Sequence, residues 1–158
     1  MFEYRGGGLF PLVFPDFTPE LEGCLKEVLA IEGAGAAQFV VDVLAGYRGS
    51  LATHELYMLI VDAVPDDDPV LGSVEGALIS TGVVHGEFGM VEAYRQKKAE
   101  FQTWLLDLRP RVKAFAETHD RMLDRMIAGE QRRSEEDVEA LKRQYEDGTG
   151  QAGGSTAG

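Results

Sequence analysis

The segment Trp104-Leu105-Leu106-Asp107-Leu108-Arg109-Pro110-Arg111-Val112-Lys113-Ala114-Phe115-Ala116 joins the end of one apolar helical stripe to the start of another through a proline. A proline is tolerated at the first position of a helix, where its missing N–H would have no partner, and it forbids the preceding helix from running on. The segment therefore predicts a helical hairpin. A related corner, Asp66-Asp67-Asp68-Pro69-Val70-Leu71, lies 41 positions earlier, again with an acid three before the proline and an aliphatic residue two after it.

The same grammar extends along the chain. Thr18-Pro19-Glu20 supplies a cap, a proline opener and an acid at the positive end of a helix dipole. Leu21, Cys24, Leu25, Val28, Leu29 and Ile31 follow at helical spacing until Gly33 and Gly35, which predicts a first helix with Cys24 on its apolar stripe. A second helix is expected over 36–44, ended by Gly46 and Gly49. A third is expected over 53–64, stopped by Pro65. A fourth, capped by Asp68 and opened by Pro69, runs to about Ser80 and carries Gly72 and Gly76 four apart, a spacing suited to close helix approach. Met90, Val91, Tyr94, Phe101, Trp104 and Leu105 define a fifth helix, and Val112, Phe115, Ala116, His119, Met122, Leu123, Met126 and Ile127 a sixth. Past Gly129 only Val138, Leu141 and Tyr145 continue the stripe, on an otherwise charged helix. The expectation is an all-α chain of about six helices in three antiparallel pairs with a long C-terminal helix. It is divided into an extended lead-in (1–17), a helical domain (18–147) and a disordered tail (148–158).

The corner residues Asp107, Pro110, Val112, Lys113, Ala114 and Ala116 resemble a HEAT repeat. The match is good over 104–116 and partial over 66–71, and the 41-residue interval fits the roughly 40–47 residues of such helix pairs. Gly72 stands where that pattern carries a basic residue, and Arg109 where it more often carries an acid. The resemblance implies a short α-solenoid that offers helix faces to a protein or peptide. The stretch from Gly82 onward is also similar to the helical tail of larger bacterial multidomain proteins of conflict systems.

Charge adds a second constraint. The formal net charge is −12, and all of it falls in residues 1–94, where Arg5, Lys26 and Arg48 face fifteen acids; residues 95–158 balance twelve against twelve. Such a surface repels phosphate backbones and steers basic partners. No nucleic acid is expected as a partner. The N-terminus lacks a basic stretch followed by a long apolar run, and Pro11 and Pro15 interrupt its hydrophobicity, so neither a signal peptide nor a membrane span is expected.

No catalytic constellation is legible. His85-Gly86-Glu87 echoes the H-x-E of zinc deaminases, but the P-C-x-x-C partner is missing and Cys24 is the single cysteine. His54 and His119 have acids adjacent in sequence, and adjacent helical positions point apart. There is no H-E-x-x-H, G-x-S-x-G or P-loop lysine. Asp66-Asp67-Asp68 reads as a solvated turn and Gly6-Gly7-Gly8 as a linker. The expected function is a non-enzymatic interaction module in the bacterial cytoplasm, without metal or cofactor. It would engage a protein partner, basic by charge, or a second copy through Val138, Leu141 and Tyr145. The alternative is a small acidic immunity protein or antitoxin that covers a basic nuclease toxin.

Overall fold

The computed structural model describes residues 10–81, 86 and 88–150, the last four by backbone alone. The described residues are helical with no strand, and they end in one long helix. The elements are α1 (Phe10–Val13), α2 (Pro19–Glu32), α3 (Ala37–Ala45), α4 (His54–Ala63), α5 (Val70–Leu78), α6 (Gly89–Leu105) and α7 (Pro110–Gly150). Short 3₁₀ turns lead into α3 and α4.

Each expected opener does its work locally. The Thr18 hydroxyl accepts from Leu21 N at 3.3 Å ahead of α2. Asp68 Oδ1 accepts from Val70 N at 2.9 Å ahead of α5. Val64 is extended before Pro65, as the proline ring requires of its predecessor. At the last corner Asp107 closes a turn ahead of α7. It accepts from Arg109 N at 2.9 Å and holds the guanidinium in a fork, from Nε at 2.8 Å and from Nη2 at 2.8 Å. The corner acid thus pairs with Arg109, while Lys113 is exposed.

Among the lead-in residues, Phe10–Val13 forms a helical turn where extended chain was expected. The cause is tertiary: Phe10 packs edge-on to Phe39 of α3, and Tyr47 OH donates to Phe14 O at 2.8 Å. In α2 only Leu25 is fully buried, flanked by half-buried Leu21, Val28 and Leu29. Because the helix buries so narrow a row, Cys24 lies exposed and Ile31 is 80% exposed, contrary to their placement on the inward stripe. The exposed Gly72 and Gly76 have no heavy atom within 4 Å of the position a Cβ would take, so they do not serve close packing inside the molecule.

Residues Ala37, Val40, Val41, Val43 and Leu44 of α3 are buried, and α3 packs chiefly on α5. The α4 helix sends Leu56, Tyr57, Ile60 and Val61 inward and touches both α2 and α7. The run Pro19–Ala45 is long and apolar enough by composition to cross a membrane, but a 3₁₀ turn divides it and its α3 half lies in the core.

The sequence-adjacent pair with the most extensive contact is α6 against α7. It is antiparallel: Phe101 lies 4.4 Å from His119 by ring centroids, and Lys98 bridges Asp120 at 3.1 Å and Asp124 at 2.6 Å. Gly129 thins the apolar pattern without interrupting α7, which continues to Gly150, past the expected end of order at 148. Residues 151–158 of the expected tail lie outside the described residues.

Candidate interaction surfaces

The α7 helix is 41 residues long against 17 for α6. At about 1.5 Å per residue the two rods measure about 60 Å and 25 Å, so α7 outruns its partner. The overhang carries the three residues singled out by spacing. Val138 is half-buried, whereas Leu141 is 50% and Tyr145 76% exposed. Phe88, 48% exposed at the start of α6, shares a shallow depression of about 260 Å³ with Val138, Glu135, Glu139 and Lys142. An apolar strip therefore begins at Phe88 and Val138 and continues along the arm. Spacing on α7 pointed to Val138, Leu141 and Tyr145; Phe88 comes from a distant position and carries no such periodic signal.

A larger cleft of about 450 Å³ opens between α5 and the first turns of α7. Leu71, Gly72 and Glu75 form one wall, Ala114, Phe115 and Thr118 the other, and Val61 of α4 lies between them. Asp66 and Arg111 close one end as an ion pair at 3.0 Å, with the Arg111 guanidinium also donating to Val64 O.

The polar chemistry in the core is of another kind. Trp104 Nε1 donates to His54 Nδ1 at 3.1 Å, so the His54 proton sits on Nε2, 3.2 Å from Gly49 O. Lys97 Nζ donates to the carbonyls of Arg48 and Gly49, each at 3.1 Å. His119 is buried among Phe101 and Phe115, and its Nδ1 has no hydrogen-bond partner. Burial lowers the pKa of His54 and takes that of His119 down to about 4. Both imidazoles are embedded in aromatic packing, His54 against Phe101 and Trp104 and His119 against Phe101 and Phe115.

Among the described residues no three His, Cys, Asp or Glu side chains are gathered to hold a metal ion. His85 and Glu87 lie outside the described residues. Comparison with protein-family models, curated proteins and solved structures finds no match for this chain.

Proposed function

We propose that the chain is a non-enzymatic interaction module, at work in the bacterial cytoplasm, that grips a protein partner through the projecting arm of α7. The observation that carries this reading is the apolar strip from Phe88 and Val138 to Leu141 and Tyr145, much of it solvent-exposed. A narrow apolar strip on a charged helix adds little to folding and gains most by docking. The HEAT-like corner at 104–116 is in keeping with such use, since fold supplies a prior and the surface supplies the specificity.

The test compares the full chain with a Leu141→Glu, Tyr145→Glu double variant by cross-linking mass spectrometry in extract of the source cells. Cross-links from Lys142 to one protein, or to a second copy, should appear in the parent and vanish in the variant, with unchanged helical circular dichroism. Equal cross-linking in both chains would overturn the reading.

The charge asymmetry favours a second reading, a small acidic inhibitor of a basic toxin. In that case binding weakens steeply with added salt and a toxin reading frame neighbours this one.

A further inference from the structure

The cleft between α5 and α7 has a charge and a shape that the arm does not use. Its apolar lining includes Val61, Leu71, Pro110, Ala114 and Phe115, and it opens to solvent along the exposed Gly72, Ala114 and Thr118. An opening of that form suits the lowered face of a macromolecule better than a small ligand, which a pocket typically buries over most of its surface.

The α5 wall is built for close approach. Gly72 faces the cleft, Gly76 follows one turn later, and nothing occupies the space beside either. Residues four apart share a helix face, so α5 presents bare backbone along one ridge, where another helix can come nearer than side chains ordinarily permit.

The rim is acidic. Asp66 and Glu75 line the cleft, and Asp67 and Asp68 follow Asp66 in the chain. The one cation in the lining, Arg111, is already engaged by Asp66 and Val64 O. Glu75 and Asp67 make no ion pair within 4 Å among the described residues.

We infer that this cleft is the docking groove for an amphipathic helix of a partner protein, with an aliphatic row set between Leu71 and Phe115 and lysines or arginines beside it facing Glu75. The inference rests on the interaction-module reading and names the chemistry of the partner. A second copy of the arm fits poorly, because Glu135, Glu136, Asp137, Glu139 and Glu146 outnumber Lys142 and Arg143 there. Backbone exposed at one-turn spacing selects a helix, and charge selects a basic one.

The experiment uses the full chain and a fluorescein-labelled Leu/Lys amphipathic peptide of about 15 residues, the length at which an isolated helix becomes marginal. A Leu/Glu peptide of the same pattern is the control. Anisotropy at physiological salt should show binding of the Lys peptide alone. Gly72→Leu, which fills the groove, and Glu75→Lys, which reverses its rim, should each weaken binding about tenfold or more. Ala114→Trp fills the groove from the opposite wall and gives the same reading should Gly72→Leu disturb folding. Ile31→Ser, on the exposed face of α2, should leave the affinity within about twofold.

Unchanged affinity in the groove variants overturns the proposal. Loss confined to Leu141→Glu overturns it by moving the site to the arm. So does an equal loss in Glu27→Lys, on α2, which would make the attraction diffuse. Lys142 cross-links that persist while the groove variants bind normally would sink the groove and leave the module reading standing.

Discussion

His54 sits with one ring nitrogen accepting from Trp104 and the other directed at the Gly49 carbonyl. A second proton on that ring would face the indole N–H with another N–H. Burial lowers its pKa and Lys97 acts in the same direction, and together they outweigh the Gly49 carbonyl and Glu100, which raise it. His119 is likewise dominated by burial, with Asp120 raising its pKa and His54 lowering it, and lies at about 4 against an ordinary 6.5. Between those two values the unfolded chain binds a proton that the folded chain refuses, so stability is full above about pH 6.5 and falls as pH drops toward 4. The His119 share amounts to at most about 3 kcal/mol, and His54 adds in the same direction. Asp107 works in a different window. The Arg109 fork lowers it to about 2, so its contribution persists above the ordinary carboxylate value and is lost only below it. Trp104 is the sole tryptophan and is fully buried, so its fluorescence reports urea unfolding directly. Midpoints should drop between about pH 7.5 and 5, and His119→Phe should flatten that slope by removing the titrating group. An unaltered slope in the variant would show that His119 does not carry the effect.

Two glycines of α5 and its neighbouring turn should respond to alanine with opposite signs. Gly49 has φ +62°, and a Cβ there would lie 2.9 Å from Ala77 O, so Gly49→Ala should cost about 2 kcal/mol or more. Gly72 lies inside a helix with open space around it, so Gly72→Ala should stabilise by up to about 1 kcal/mol. Urea midpoints of the two variants check both signs. Element starts were legible because their chemistry is local: Thr18, Asp68 and Asp107 each accept from a backbone N–H within three residues of themselves. Which side of an element turns inward depended on distant partners. Cys24 and Ile31 share a periodic pattern with Leu25, yet α2 buries a single row. The turn at Arg48 and Gly49, where Arg48 takes φ +53°, is secured by Lys97 from 48 and 49 positions away. No local signal announces that tie, nor the meeting of Phe88 with Val138. Three of the four strip residues were visible from spacing on one helix, and the cleft, built from α4, α5 and α7 together, was not.

Across the whole molecule, one uninterrupted rod serves both the packed hairpin and the overhang. Each residue of an α-helix advances the direction of a side chain by about 100°. A single alanine inserted between Ala140 and Leu141 should therefore swing Leu141 and Tyr145 a quarter-turn or more away from Phe88 and Val138, with Trp104 fluorescence unchanged. Seven inserted residues bring them back to within about 20° of their original bearing, carried roughly 10 Å farther out. A partner that reads the strip as one continuous line should lose its Lys142 cross-link with one added residue and recover it in part with seven. The angular phase of the rod is then as much a determinant of recognition as the identity of the side chains it carries.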